Sequence, residues 1–127
     1  MDASKRFIFV TFKQEGIHRY PEAATNPDLA TGDWRDVSFL ASPHRHMFHF
    51  RVELEVVHSN RCVEFIQFKR ELQRLYSTGT LALDYKSCEM MAEDLADYIT
   101  KQYPGRDLVI EVAEDGENGA RMYFNKQ

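Results

Sequence analysis

Only two cysteines, Cys62 and Cys88, occur among the 127 residues, and they stand far apart without CxxC spacing. That count and spacing exclude a disulfide framework and a cysteine-built zinc site. Basic residues are outnumbered, with 16 Lys and Arg against 20 Asp and Glu and a formal charge of −4. Non-specific nucleic-acid binding needs a basic face that releases counterions from phosphates, so no nucleic-acid partner is expected. No apolar run approaches the ~20 residues of a membrane-spanning helix. The first residues lack the apolar stretch and small-residue cleavage site of a secretory signal, so a cytoplasmic setting with no membrane partner is the expectation. No repeat or low-complexity tract interrupts the sequence, and its length suits one domain over 1–127. Apolar residues are plentiful at 43%, with 13% aromatic, enough for a single core. Histidine is the unusual presence, five in so small a chain.

Residues 6–13, Arg-Phe-Ile-Phe-Val-Thr-Phe-Lys, read as a strand of aromatic and β-branched side chains. From Tyr20 to Pro43 the chain carries Pro21, Pro27, Gly32 and Pro43 among Asn, Asp and Thr, which predicts a long loop. Trp34, Val37, Phe39 and Leu40 are the residues expected to tack it down. Residues 44–58 alternate strictly. The even positions His44, His46, Phe48, Phe50, Val52, Leu54 and Val56 form one face, and Arg45, Met47, His49, Arg51, Glu53 and Glu55 the other. A helix follows, its stripe set by Phe65, Phe68, Leu72, Leu75 and Tyr76 and its end by Ser77-Thr78-Gly79. A second helix is predicted from about Cys88 to Gln102, with Ser87 as N-cap, Met91, Leu95 and Ile99 as its buried stripe and Pro104-Gly105 as its stop. Two strands close the chain, Leu108, Ile110, Val112 and Glu114 sharing a face of one and Ala120–Phe124 forming the other. The order β-β-α-α-β-β predicts an α+β fold, an antiparallel sheet with one face covered by two helices.

His44 and His46 are two apart on a strand, so both imidazoles leave the same face. Paired imidazoles suit a tetrahedral ion with nitrogen ligands, zinc by default, and His18 is placed to supply a third if the first two strands pair. Three histidines with a fourth position open allow an ion to polarise substrate or activate water. The alternative is two chance neighbours at the end of a core strand. His49 points to the opposite face and His58 lies at the far end, so neither is expected to be a ligand. Glu114 alternates with apolar residues and is aimed at the apolar side, where an unpaired charge is costly. It reads either as a carboxylate anchor for the N–H edge of a guanidine-like heterocycle or as a strand-end residue paired to Arg121.

Together these segments resemble the 6-pyruvoyl-tetrahydropterin synthase and 6-carboxytetrahydropterin synthase family of the tunnelling (T-) fold. His44-Arg45-His46-Met47-Phe48 is similar to the family's H-G-H-N-Y strand, and His18-Arg19-Tyr20-Pro21 to its A-H-R-L-P segment. Val63-Glu64-Phe65 with Phe68-Lys69 is similar to V-x-D-F-x-x-L-K at the first helix, and Ser87-Cys88-Glu89-Met90-Met91-Ala92 to T-S-E-N-L-A at the second. Val112-Ala113-Glu114 is similar to the V-x-E-T strand. The likeness covers nearly the whole chain. It implies zinc on His18, His44 and His46, and a pterin or purine-like ligand held by Glu114 with Ser87. It also implies a lyase-type synthase acting on a pterin such as dihydroneopterin triphosphate, in a pterin or deazapurine (queuosine) pathway.

Two departures bear on catalysis. The family's cysteine, four residues before the first histidine of H-x-H, is replaced by Leu40, and its L-D-H-x-x-L-N segment is reduced to Leu83-Asp84-Tyr85. Asp84 keeps the acid without its histidine, and Asp33 and Asp36 in the long loop are the other candidates for a proton-transfer group. Three readings stay open: a zinc-dependent synthase with a replaced acid or base, a zinc-containing pterin- or purine-binding protein without turnover, and an assembly scaffold. T-fold subunits close their sheets into barrels, and apolar strand edges seek partners, so a homohexamer built as a dimer of trimers is expected.

Overall fold

A computed structural model describes residues 1–76 and 78–127. Among the described residues seven helices and strands follow one another: β1 (Arg6–His18), β2 (His44–Val56), α1 (Phe65–Gln73), β3 (Leu81–Asp84), α2 (Cys88–Gln102), β4 (Leu108–Glu114) and β5 (Asn118–Phe124). The strands form one sheet in the order β3-β1-β2-β4-β5. β1–β2, β2–β4 and β4–β5 pair antiparallel, whereas β3 runs parallel to β1. The α+β class stands, but the four-stranded antiparallel sheet is corrected to a five-stranded mixed one. β3 has only four residues and meets β1 only at Gly16, Ile17 and His18, too short a stretch for its sequence to show a period.

The strict alternation along β2 is what organises the core. Phe48, Phe50, Val52, Leu54 and Val56 are all buried on the face that the helices cover. β1 opposes β2 residue by residue, from Arg6↔Val56 to His18↔His44. This ladder carries β1 five residues past its apolar stretch, through Gln14, Glu15 and Gly16, because cross-strand pairing outweighs weak local propensity. Gly16 is needed where it stands: a Cβ there would lie 2.7 Å from Leu83 of β3 and 3.0 Å from Phe48.

Both helices are capped by their own sequence. The Glu64 carboxylate accepts from the N–H groups of Ile66 and Gln67, and the Ser87 hydroxyl accepts from Met90 N–H at 3.1 Å. α1 buries Phe68 and Leu72, while α2 buries Cys88, Met91, Ala92, Leu95, Ala96 and Ile99. Glu71 ties the two together by accepting from the hydroxyls of Tyr98 and Tyr103. Ser77, the first residue of the predicted helix stop, lies outside the described residues.

The 20–43 loop contains two short 3₁₀ turns, Pro21–Ala24 and Ser38–Ala41. The expected anchors divide: Val37 and Leu40 are half-buried, whereas Trp34 is 91% exposed and Phe39 66%. Polar turns hold much of the backbone. Asp33 accepts from Thr31 Oγ1 and Arg35 N–H, and Asp36 from Gly32 N–H and from both Ser38 donors. Short acidic side chains satisfy turn amides locally, so little apolar burial is required. Among the described residues no helix is long and apolar enough to cross a membrane.

Candidate metal centre

Register alone assembles the site. His18 and His44 end β1 and begin β2 as direct cross-strand partners, and His46 follows two residues on, on the same face. On the other side of β2, Glu114 pairs with Phe48 and reaches the same face from the end of β4. Each of the four residues offers a ligand atom, and those atoms all lie within 4.8 Å of one another. The imidazoles meet edge to face, with ring centroids 4.6 Å apart for His18–His44 and 5.0 Å for His44–His46. His18 is buried, and the other three are half-buried. The structure thus brings together His18, His44, His46 and Glu114 and leaves out His49 and His58, in line with the strand alternation.

Each ring is fixed through Nδ1. His18 Nδ1 donates to the Lys86 carbonyl at 2.8 Å, His44 Nδ1 to the Ser42 carbonyl at 2.8 Å, and His46 Nδ1 to the Asp115 carboxylate at 2.6 Å. A carbonyl or carboxylate only accepts, which places a ring proton on each Nδ1 and, in His44, leaves Nε2 as the lone-pair nitrogen. Glu114 Oε2 lies 2.9 Å from Nε2 of both His18 and His46. At this spacing Nε2 of His18 and of His46 presents either a proton or a bound cation to the carboxylate, since a bare lone pair there would repel it. The cluster could hold a metal ion: nitrogen and oxygen donors, oriented rings and a small separation are what such a site requires.

Beside the cluster opens a cleft of about 500 Å³, lined by His18, His44 and Glu114 together with Tyr20, Leu40 and the first turn of α2. Leu40 places an apolar side chain on the wall. Ser87 also lines the cleft, but its hydroxyl already caps α2. Asp84 neighbours His18 across the β1–β3 ladder, yet its carboxylate turns to the surface and accepts from Arg19 Nε at 3.1 Å. Asp33 and Asp36 are held below the usual carboxylate range by hydrogen bonds, chiefly from Thr31 and Ser38 respectively, so neither is poised as a base near neutrality. Arg121 lies 4.0 Å from Glu53, and Glu114 binds the histidines rather than Arg121.

Two residues of the site had not been singled out from the sequence. Cys88, the first residue of α2, lines the cleft. Burial, then the charges of Glu114 and Glu89, push its thiol up to about 12. Its position next to Ser87 was the available signal. Asp115 had none: strand alternation would turn it away from Glu114, but its φ of +56° places its carboxylate behind His46. Hydrogen bonds from Met47 N–H and then His46 hold Asp115 below the usual carboxylate range. No protein-family model matches the sequence, and no curated protein matches it.

Proposed function

We propose that the chain is a zinc protein whose cleft takes a pterin- or purine-like heterocycle, a divergent relative of the 6-pyruvoyl/6-carboxytetrahydropterin synthases with a T-fold. The Nδ1 anchoring of three imidazoles around one carboxylate carries this reading. Three imidazole nitrogens and an oxygen are a set that zinc favours, and the ion when bound supplies a Lewis acid next to the cleft. Glu114 has two possible duties that compete. With one oxygen on the imidazoles it cannot also give both oxygens to the N–H edge of a heterocycle. Glu114 would therefore help the histidines hold the ion in the ligand-free protein and would turn to the heterocycle on binding. Tyr20 and Leu40 supply apolar wall for a planar ring.

A synthase acting on dihydroneopterin triphosphate needs a group that moves protons beside the pterin. One observation favours the second reading, binding without turnover: Asp84, Asp33 and Asp36 are committed elsewhere and the Cys88 thiol is held protonated. Protein purified without added zinc should carry close to one zinc per chain, lost in His46→Ala. A metal-free wild type that ignores the substitution sinks the zinc reading. Incubation with dihydroneopterin triphosphate then separates the two functions, since product formation supports the synthase and bound, unchanged ligand supports the binding protein. The strand edges of β5 and of β1 before Gly16 favour closure with further copies, and a homohexamer is the assembly proposed. Light scattering at the monomer mass contradicts it.

A further inference from the structure

We propose that Asp115 is the positioning residue of the metal centre, and that with Glu114 it makes the β4–β5 turn a clamp on His46. This rests on the reading of the histidine cluster as a metal site. Consecutive strand residues point to opposite faces, yet Glu114 and Asp115 bracket one imidazole. Glu114 Oε2 lies 2.9 Å from His46 Nε2, and Asp115 Oδ2 lies 2.6 Å from His46 Nδ1. The break in alternation is the left-handed backbone at Asp115, φ +56°, followed by Gly116 at φ +71°. Asp tolerates that region far better than a β-branched residue.

The turn is itself pinned to β2. Asp115 Oδ1 accepts from Met47 N–H at 2.9 Å, and Asp115 N–H donates to the Met47 carbonyl at 2.8 Å. The carboxylate thus has one oxygen on the backbone beside His46 and the other on its ring, which fixes both the height and the rotation of the imidazole. His18 and His44 are oriented by main-chain carbonyls of Lys86 and Ser42. At Nδ1, His46 alone of the three depends on a side chain, so it is the ligand whose Nδ1 anchor a single substitution can remove. A charged acceptor on Nδ1–H also makes Nε2 a stronger donor to a cation.

Asp115→Asn separates positioning from folding. Asn keeps an oxygen for Met47 N–H and tolerates positive φ, but offers His46 Nδ1 an amide donor in place of an acceptor. In metal-free protein, imidazole ¹⁵N spectra should show a proton on His46 Nδ1 in the wild type and none there in Asp115→Asn. Zinc affinity, measured by competition with a chromophoric chelator, should fall about 10–100-fold in the variant, with unchanged circular dichroism. Equal affinity in the two proteins overturns the role of Asp115 and leaves the zinc site intact. A wild type that takes up no zinc removes the site and this inference together. Should the variant fail to fold, the wild-type spectrum decides: a His46 ring lacking a proton on Nδ1 overturns the inference.

Discussion

Cys62 and Cys88 carry the same thiol in opposite surroundings. Cys62 is half-buried near the start of α1, where a backbone hydrogen bond from Val57 and the guanidinium of Arg106, 3.9 Å from Sγ, hold it below the usual thiol range. Cys88 is pushed up to about 12, first by burial. The thiolate is the reactive form, and near neutral pH a thiol at that value exposes on the order of a thousandfold less of it than a free cysteine. With metal chelated away, iodoacetamide should therefore modify Cys62 alone in the folded protein, and Cys88 only after denaturation. Peptide mapping that finds Cys88 modified first would show its burial to be wrong. The same residue marks how sequence reading succeeds and fails at this scale. Strand alternation put His44 and His46 on one face and turned Glu114 to the apolar side, but the β2–β4 register that brings Glu114 to the histidines is written in neither strand. Only the family resemblance, through Ser87, pointed to the first turn of α2; no local pattern does, because the approach of α2 is set by its packing on β4 and β5.

At the scale of elements, what was legible is what local chemistry determines. α2 begins at Cys88 and ends at Gln102 as its sequence predicts, because the Ser87 cap, the Met91–Leu95–Ile99 stripe and the Pro104-Gly105 stop all lie within it or next to it. β3 and the last five residues of β1 were not legible, since they exist only through pairing with strands distant in sequence. Two substitutions test this division. Ser87→Ala removes one hydrogen bond to an amide that water can partly serve, so it should cost about 1 kcal/mol. Gly119→Ala meets main chain: its Cβ would lie 2.2 Å from the Val112 carbonyl oxygen and 2.5 Å from Ala113 Cα. Neither atom can rotate aside, so β5 must move off β4. The cost should reach or pass the upper end of the ~1–3 kcal/mol typical of overpacking. Urea unfolding of both variants ranks them, and an equal loss would mean that the β4–β5 pairing is looser than the register implies.

Across the whole molecule, one buried carboxylate joins the two chain ends to the sheet. Asp107, at the start of β4 with its side chain only 3% exposed, receives hydrogen bonds from Lys5 Nζ, the Tyr123 hydroxyl at 2.6 Å and Lys126 N–H at 2.9 Å. Its main chain exchanges bonds with Glu55 of β2. Lys5, then Tyr123 and Lys126, hold the Asp107 carboxyl well below the usual carboxylate range, and Asp107 in turn raises Lys5 above the usual lysine range. The signs follow from linkage. A carboxyl depressed in the folded state gives stability that is fully present above its unfolded value, about 4, and is lost as pH falls further toward the folded value. A raised lysine gives stability that is fully present below its unfolded value, about 10.4, and is lost as pH climbs through the folded one. Asp107→Asn should therefore destabilise the protein by a constant amount between about pH 5 and pH 10, and the gap to wild type should narrow on either side. Subtracting the two urea-unfolding series removes the other depressed carboxylates, Asp33, Asp36 and Asp115, which titrate alike in both proteins. A gap that stays constant below pH ~4 would mean that Asp107 acts through packing, because only a charge-dependent tie is released by a proton.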